Sequence, residues 1–238
     1  MIATSRAGAS WPLRIAIPKG SLFPEGVDLL ARAGLDTAAL ASPGRQLIVS
    51  TPDVEFVIAK PTDVPVYVAH GAVDCGIAGK DVLVESGLEV VELVDLHYGA
   101  CRFVVAGREE RVTMRERYGH LGVLRVATKY PNITQTHFDA AGTQVEIVRL
   151  NGNIELAPLI GISDVIVDIT ATGTTLRENG LHIIDEVMSS TARFVGNPVS
   201  VRTDARVTAL ADVLSELTVE SKFAGQTAPD PIESENTR

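Results

Sequence analysis

Residues 155–176, ELAPLIGISDVIVDITATGTTL, decide the fold class of this chain. A helix-like stretch leads into an apolar strand over residues 165–167, and Asp168 follows at the expected strand end. A hydroxyl-rich loop with one glycine comes next, and Leu176 opens a further helix. The amides of such a loop and the N-terminus of the following helix both favour an anion. The pattern predicts an α/β fold with a phosphate site at a strand end.

Two acidic residues flank the predicted phosphate site. Asp168 would lie beside the anion, so it suits hydrogen bonds from ribose hydroxyls better than contact with the phosphate itself. Glu155 begins the preceding helix, and in a βαβ unit a helix start and a strand's carboxyl end share one sheet edge. We therefore expect both carboxylates to face one crevice and to bind a sugar phosphate. The alternative role for Glu155 is a favourable charge at a helix N-terminus.

Composition narrows the class of partner and the compartment. The chain has 238 residues, a net charge of -9 and a hydrophobic fraction of 45%. An acidic chain is not suited to nucleic acid or an anionic membrane surface as its main partner. No apolar run approaches the roughly 20 residues that cross a bilayer, and the N-terminus has no apolar signal core, so we expect a cytoplasmic protein.

Cys75 and Cys101 are expected to be free thiols, and the histidines show no metal-ligand spacing.

Strands that alternate with helices predict two lobes with mostly parallel sheets. We expect lobe I to comprise residues 1–105 and 188–224, and to be completed by an amphipathic helix over residues 204–220. Residues 106–187 would form lobe II and carry the phosphate loop. Strands predicted at residues 182–186 and 192–195 would return the chain to lobe I. Residues 225–238 are predicted to be a disordered tail.

The chain contains a faint internal repeat. GAVDCGI at residues 71–77 resembles GISDVIV at residues 161–167. Each is followed by a loop, a short predicted helix and a Glu-X-Gly sequence, and the second copy is three residues longer before that sequence. Our hypothesis is that the lobes share one ancestral unit and that the longer loop holds the phosphate. Chance similarity is the alternative.

Three predicted strands of lobe I each end at or near a lysine. Ligands of open α/β sheets bind outside the carboxyl ends of the strands, so these residues predict an anion-binding rim. Solvated turn lysines are the alternative. This first-lobe rim consists of Lys19, Gly20, Ser21, Lys60, Gly79 and Lys80.

A longer motif identifies a family. The positions that carry it are Glu155, Gly161, Ser163, Ile166, Asp168, Ile169, Thr172, Gly173, Thr175 and Leu176. Through them the chain resembles the ATP phosphoribosyltransferases in their short form, and similar segments occur between residues 13 and 202. Lys60 departs from the pattern, because many members have arginine there. Residues 225–238 are too few for the histidine-binding domain of long-form members, so we expect a short-form catalytic subunit.

The resemblance implies a fold similar to type II periplasmic binding proteins. It also implies an enzyme that joins N1 of ATP to C1 of phosphoribosyl pyrophosphate and releases pyrophosphate, the first step of histidine biosynthesis. Glu155 and Asp168 would be the catalytic residues, the first-lobe rim would bind ATP or pyrophosphate, and Mg²⁺ would arrive with the pyrophosphate. The loop that holds the phosphoribosyl group would be Ile169, Thr170, Ala171, Thr172, Gly173, Thr174 and Thr175.

The resemblance further implies a homodimer that joins a regulatory subunit similar to histidyl-tRNA synthetase in a hetero-oligomer. Three other interpretations stay open at this point. The chain could be a two-lobed sugar-phosphate or nucleotide binding protein without catalysis, an inactive paralogue, or a phosphoribosyltransferase for a different base. The absent signal sequence and the hydroxyl-rich loop count against the first.

Overall fold

The computed structural model describes residues 11–42, 44–108, 123–170 and 172–225, and they form two β-sheets flanked by helices. The tail predicted to be disordered falls almost wholly outside the described residues. Alternate side chains along each central strand pack against opposite faces of its sheet, so every sheet has a buried core on both faces. The predicted two-lobed α/β fold is therefore present.

The first sheet has six strands in the order β2-β3-β1-β4-β11-β5. Strands β3, β1 and β4 are parallel neighbours, whereas β2 and β11 run antiparallel to the strands beside them. The strands are β1 (Leu13–Pro18), β2 (Ile48–Ser50), β3 (Val54–Ala59), β4 (Cys75–Gly79), β5 (Val91–Asp95) and β11 (Ala192–Gly196). The helices connecting them are α1 (Phe23–Arg32), α2 (Val64–Ala69) and α3 (Lys80–Ser86), with short 3₁₀ turns at Ala38–Ala41 and Pro61–Asp63.

The second sheet has five strands in the order β10-β6-β9-β7-β8. Strands β9, β7 and β8 are parallel, and β6 runs antiparallel between β9 and β10. The strands are β6 (Cys101–Gly107), β7 (Leu124–Thr128), β8 (Val145–Arg149), β9 (Val165–Thr170) and β10 (His182–Ser190). The described helices are α4 (Pro131–Ala140), α5 (Leu156–Leu159) and α6 (Thr174–Glu178).

Two helices follow β11. They are α7 (Pro198–Thr203), which was not predicted, and α8 (Ala205–Gly225). The predicted apolar face of α8 packs against the first sheet, with Val207, Leu210 and Leu214 fully or almost fully buried. The C-terminal helix therefore completes the first lobe, as its amphipathic pattern predicted.

The lobe boundaries differ from the predicted ones. The chain leaves the first sheet between β5 and β6 and returns between β10 and β11. The whole of β6 therefore lies in the second lobe, although the predicted boundary at residues 105 and 106 divides it. β10 was predicted to return to the first lobe, but it pairs with β6 instead. Apolar strand patterns show that a strand is buried, but they do not show which sheet contains it.

Strand register supports the shared origin of the lobes. In each sheet the central strand of the parallel trio begins with leucine and arginine, and its two parallel neighbours align with it in the same way. The pairs are Leu13 with Val54 and Ile15 with Cys75 in the first sheet, and Leu124 with Val145 and Val126 with Val165 in the second.

An aspartate contact repeats in the same place. Asp74 accepts a hydrogen bond from the amide of Arg14 at 2.9 Å and donates its own amide to the Arg14 carbonyl. Asp164 makes the equivalent pair of bonds with Arg125. β4 runs directly into α3, whereas residues 171–173 separate β9 from α6. The three additional residues predicted for the second copy therefore lie in the proposed phosphate loop.

Candidate active site

The strand that carries Asp168 is longer than predicted. β9 continues two residues beyond Asp168 to Thr170, because β6 pairs with it as far as Arg102 opposite Thr170. Ile169 and Thr170 are therefore strand residues rather than loop residues. Alternation along β9 places Asp168 on the same face as Ile166, and that face also packs Ile154 and Ala157 around the start of α5. Asp168 is thereby directed toward the segment that contains Glu155.

The phosphate-type loop is short and internally bonded. Gly173 has a left-handed φ of 73° and donates its amide to Oγ1 of the buried Thr170 at 2.8 Å. The hydroxyls of Thr172 and Thr174 lie 2.9 Å apart, and both residues are exposed, as is Thr175. Ala171 falls outside the described residues. The loop thus presents hydroxyls to solvent on a turn fixed by Thr170.

Helix α6 begins at Thr174, two residues before the predicted start at Leu176, and it has only five residues. A helix this short adds few aligned peptide dipoles, because the effect grows with aligned peptide units. The loop's own amides and hydroxyls are therefore the main groups that it offers to an anion.

Arg177 is a site residue that was not predicted. Its guanidinium donates from Nη1 to the Thr172 carbonyl and from Nη2 to Oγ1 of Thr174, each at 3.1 Å. The side chain is exposed and reaches back one helical turn over the loop. A basic residue four positions after a loop glycine was the sequence signal that could have found it.

Two charged residues act on Asp168. Burial raises the pKa of Asp168, and the negative charge of Glu155 adds to the rise. A hydrogen bond from the amide of Ile169 and the positive charge of Lys129 lower that pKa. Lys129 follows β7, the strand between β8 and β9. It was not predicted as a site residue, although it shares the strand-end position that identified the first-lobe lysines.

Glu155 lies where it was predicted. It occupies the N-cap of α5, is partly buried and makes no side-chain cap hydrogen bond there. Ile154, next to Glu155, packs with Ile166, which shares a strand face with Asp168. Both predicted acids therefore lie on this face at the carboxyl edge of β8 and β9.

The first-lobe rim splits into two parts. Lys19 and Lys60 are exposed and follow the neighbouring parallel strands β1 and β3, and the amide of Lys19 donates to the Ala59 carbonyl at 2.7 Å. Gly20, with a φ of 93°, turns the chain toward the exposed Ser21. These residues share one edge of the sheet, as predicted.

The other two rim residues, Lys80 and Gly79, are already occupied by contacts within the protein. The ammonium of Lys80 contacts Oε2 of Glu92 at 2.5 Å, so the sheet already supplies it with a counter-charge. Gly79 is buried, and a Cβ there would collide with the carboxylate of Asp81. That carboxylate in turn accepts a 2.7 Å hydrogen bond from Ser190. Gly79 therefore makes room for a buried contact between α3 and the end of β10.

The two lobes approach each other around Tyr130. Burial raises the pKa of Tyr130, and the negative charges of Asp168 in the second lobe and Asp81 in the first add to the rise. Its ring packs edge-on against Phe103 at a centroid distance of 4.7 Å. Two residues further on, Asn132 donates its side-chain amide to the Glu85 carbonyl of the first lobe at 2.8 Å, so the lobes meet beside this tyrosine.

The cysteines and possible metal ligands complete the description of the site. Cys75 and Cys101 are free thiols, as predicted, although Cys101 is only half-buried. Among residues 11–42, 44–108, 123–170 and 172–225, no group of three or more His, Cys, Asp or Glu side chains could hold a metal ion. Within those same ranges, no helix combines the length and apolar character that a bilayer crossing requires.

Comparison with known sequences decides the family. The sequence profile of HisG: ATP phosphoribosyltransferase matches residues 60–218. An ATP phosphoribosyltransferase of Rubrobacter xylanophilus is 51% identical over 191 residues, which cover 80% of this chain and 88% of that protein. The chain belongs to the ATP phosphoribosyltransferase family. Another member, from Alkaliphilus metalliredigens, is 46% identical over 209 residues, which cover 87% of this chain and 98% of the relative.

Solved structures agree with this membership. The ATP phosphoribosyl transferase (HisG:HisZ) complex from Thermotoga maritima contains a chain with 34% identity and a TM-score of 0.72, and the match covers 87% of this chain and 99% of that one. The substrate binding protein of an amino acid ABC transporter has a TM-score of 0.54 at 16% identity, and the match covers 91% and 95% of the two chains. That second likeness shows the fold alone, which is the predicted type II periplasmic-binding-protein architecture. The family places the chain among enzymes of pentosyl transfer in histidine biosynthesis.

Proposed function

We propose that this chain transfers the phosphoribosyl group of phosphoribosyl pyrophosphate to N1 of ATP in the crevice beside Asp168. The observation that carries this proposal is the placement of Asp168, Glu155 and the exposed loop hydroxyls at one edge of the second sheet. Hydroxyls and amides suit a phosphate ester, and paired carboxylates suit the hydroxyls of its ribose.

In this proposal the segment from Ile169 to Thr175, which comprises the end of β9 and the turn that follows it, holds the 5′-phosphate. Thr172, Thr174 and Thr175 would donate their exposed hydroxyls, and the guanidinium of Arg177 would add positive charge above the loop. The bond from Gly173 to Thr170 fixes the turn before the ligand arrives, so less ordering is required on binding.

Asp168 and Glu155 would accept hydrogen bonds from the 2′- and 3′-hydroxyls of the ribose. Burial makes the ionised form of Asp168 costly, so hydroxyl donors from the sugar would stabilise a carboxylate that is short of partners. As pyrophosphate leaves, C1 acquires positive charge and both acids would stabilise it. Lys129 would balance the two negative charges in the free enzyme.

The reaction needs no strong general base. The bond between C1 and the pyrophosphate oxygen breaks, the bond between C1 and adenine N1 forms, and N1 is unprotonated near neutral pH. The chain would therefore act by aligning two polyanions, and orientation can supply roughly 7–11 kcal/mol of barrier reduction. Approach of the lobes would exclude water and limit hydrolysis of the activated sugar.

The first-lobe rim would bind the polyphosphate groups. Lys19 and Lys60 are exposed at adjacent strand ends, with Gly20 and Ser21 beside them, whereas Lys80 and Gly79 border this area from β4. Mg²⁺ would arrive with the pyrophosphate, because it keeps phosphate oxygens and waters as ligands and needs only one or two carboxylates. Asp168 and Glu155 are the acids that fit such a role beside the sugar site.

The chain would work in the cytoplasm as part of a larger assembly. The similar structure from Thermotoga maritima is a HisG:HisZ complex, and the match covers 99% of that chain. We infer that this chain forms a homodimer and joins a regulatory subunit similar to histidyl-tRNA synthetase in a hetero-oligomer. Size-exclusion chromatography with light scattering on mixtures of the two chains tests this inference.

Pyrophosphate release from ATP plus phosphoribosyl pyrophosphate tests the activity, with and without the regulatory subunit. Asp168→Asn should lower turnover by about 100-fold or more, as expected when a group that stabilises transition-state charge is removed. The thermal midpoint should not fall, because burial of the ionised Asp168 is itself costly. If turnover and thermal stability fall together, Asp168 has a structural role and the site assignment fails.

A further inference from the structure

The N-terminus of α4 has no cap from its own lobe. Tyr130 occupies the N-cap without a side-chain hydrogen bond, and Pro131, in the first turn, has no amide hydrogen. The amides of Asn132 and Ile133 therefore lack partners within the helix. Ile133 is buried, so an unpaired amide there would be costly.

Glu85, near the end of α3, supplies the missing acceptors. One carboxylate oxygen accepts the amides of Asn132 at 3.1 Å and Ile133 at 3.0 Å. The backbone carbonyl of Glu85 accepts the side-chain amide of Asn132 at 2.8 Å. The negative charge also lies at the positive end of the α4 dipole.

This contact crosses from one lobe to the other. Helix α3 follows β4, and its Leu83 packs in the core of the first sheet. Helix α4 packs its Ile133 and Phe138 in the core of the second. A side chain of one lobe thus caps a helix of the other.

The capped segment leads directly to the sugar site. Thr128 accepts the amide of Tyr130 at 2.9 Å and donates its hydroxyl to the Val167 carbonyl at 2.8 Å. Lys129, whose charge acts on Asp168, lies between these two bonded residues. A shift of the start of α4 would therefore move Lys129 relative to the end of β9.

We propose that Glu85 is a positioning residue, which holds the rim of one lobe and the sugar site of the other at the separation that transfer requires. This role rests on the proposed function, because it matters only if each lobe binds one of the two reacting groups. Glu85 contacts no reacting atom in this scheme. It acts through Asn132 and Ile133 on the Lys129 segment.

The test compares Glu85→Ala and Glu85→Gln with a matched control, Glu89→Ala. Glu89 is exposed, carries the same charge and lies four residues further along the chain. Turnover is measured by pyrophosphate release on the full chain with the regulatory subunit present in every arm. Ribose 5-phosphate, which the proposed function assigns to the second lobe alone, is titrated by calorimetry. Hydrogen exchange of the Asn132 and Ile133 amides reports the cap itself.

Glu85→Ala should lower kcat by about 10- to 100-fold, because a displacement near 1 Å can cost this much. Ribose 5-phosphate affinity should stay within about two-fold, as should turnover of the control. Glu85→Gln, which keeps an oxygen acceptor, should recover most of the rate. Exchange at Asn132 and Ile133 should accelerate in Glu85→Ala alone.

Two results would overturn the role of Glu85. One is Glu85→Ala with wild-type turnover, and the other is a loss of ribose 5-phosphate affinity and thermal stability in parallel with kcat. Failure of the proposed function looks different. In that case the wild-type chain itself binds no ribose 5-phosphate and releases no pyrophosphate, and the positioning role of Glu85 falls with the function, although hydrogen exchange of the Asn132 and Ile133 amides still reports its cap on α4.

Discussion

Gly173 donates its amide hydrogen to Oγ1 of Thr170 over 2.8 Å, and this bond closes the proposed phosphate loop onto the end of β9. The bond requires Gly173 to adopt a φ of 73°, in the left-handed region that glycine enters without strain. The geometry of the loop therefore depends on one glycine and one buried hydroxyl.

Gly173→Val should abolish sugar-phosphate binding while the fold survives. A β-branched residue in the left-handed region costs about 1–2 kcal/mol or more, and the loop can relieve this strain only by abandoning its turn. We expect calorimetry with ribose 5-phosphate to show at least about a 10-fold loss of affinity, which corresponds to 1.4 kcal/mol.

Gly180→Val is the matched control for that variant. Gly180 is exposed, has a φ of 67° and has open space where a Cβ would lie. The same strain should lower thermal stability without changing ribose 5-phosphate affinity, because Gly180 lies beyond α6. Equal affinities for the wild type and Gly173→Val would remove the loop from the binding site.

Asp168→Asn should make the protein more heat-stable at pH 7, even as turnover falls. The raised pKa means that the folded chain holds the Asp168 proton more tightly than the unfolded chain does. The stability associated with this proton is complete below the ordinary pKa of 3.8 and is lost as pH rises through the higher folded-state pKa. Asparagine keeps an oxygen that can accept the Ile169 amide, and it carries no charge at any of these pH values.

Calorimetric unfolding of both proteins between pH 3 and pH 7, about the span in which carboxylates titrate, measures this difference. The thermal midpoint of the variant should exceed that of the wild type at neutral pH. The difference should be about 2–4 °C for each kcal/mol by which the substitution raises the free energy of unfolding. The two midpoints should converge as pH falls toward 3.8. A variant that is less stable at pH 7 and unchanged at low pH would contradict the raised pKa.

The sequence predicted most elements because local signals defined them. Pro24 in the first turn and Gly34 after the last marked α1, and the apolar spacing of α8 identified the face that packs on the first sheet. What could not be predicted was pairing between distant strands. β10 joined the second sheet and β9 extended to Thr170 because β6 supplied a partner to both.

For the candidate site, too, local sequence patterns could be interpreted, whereas contacts that depend on tertiary structure could not. Asp168, Glu155 and the loop could be proposed from the sequence because they are contiguous with one strand-turn-helix pattern. Lys129 and Arg177 were missed because their roles depend on which strand ends meet and on how a side chain folds back. Lys80 was predicted to be available to a phosphate, but it pairs with Glu92 because β5 places that carboxylate beside it, which depends on how the strand packs.

Lys19→Gln and Lys80→Gln should therefore differ in their effect on ATP. Lys19 is exposed and makes no ion pair within the part of the chain that the structure describes, so its loss should weaken a phosphate contact directly. A charge-assisted hydrogen bond is worth about 1.5–3 kcal/mol, so the KM for ATP should rise by about 10- to 100-fold. Steady-state kinetics at two salt concentrations would also show a weaker salt dependence.

Lys80→Gln should change the KM for ATP by less than about three-fold, because its partly exposed ion pair with Glu92 already occupies the ammonium. Its stability should fall by no more than about 1 kcal/mol. If Lys80→Gln raises the KM as much as Lys19→Gln does, the ion pair opens when ATP binds and the whole rim acts together.

Asp164→Asn should lower stability while each folded molecule keeps its turnover. The carboxylate of Asp164 accepts hydrogen bonds from the amide, Nε and Nη2 of Arg125, and it joins the start of β9 to β7 at the edge opposite the proposed active site. Loss of its charge should cost about 1.5–3 kcal/mol, the range for hydrogen bonds to charged groups.

Asp74→Asn, which weakens the equivalent contact with Arg14 in the first lobe, is the matched comparison. Chemical denaturation should show the larger loss in Asp164→Asn, because the Arg125 guanidinium also donates to Asp164, whereas the Arg14 guanidinium pairs with Glu55. A much larger loss of turnover than of stability in Asp164→Asn would mean that the shared framework also adjusts the active site.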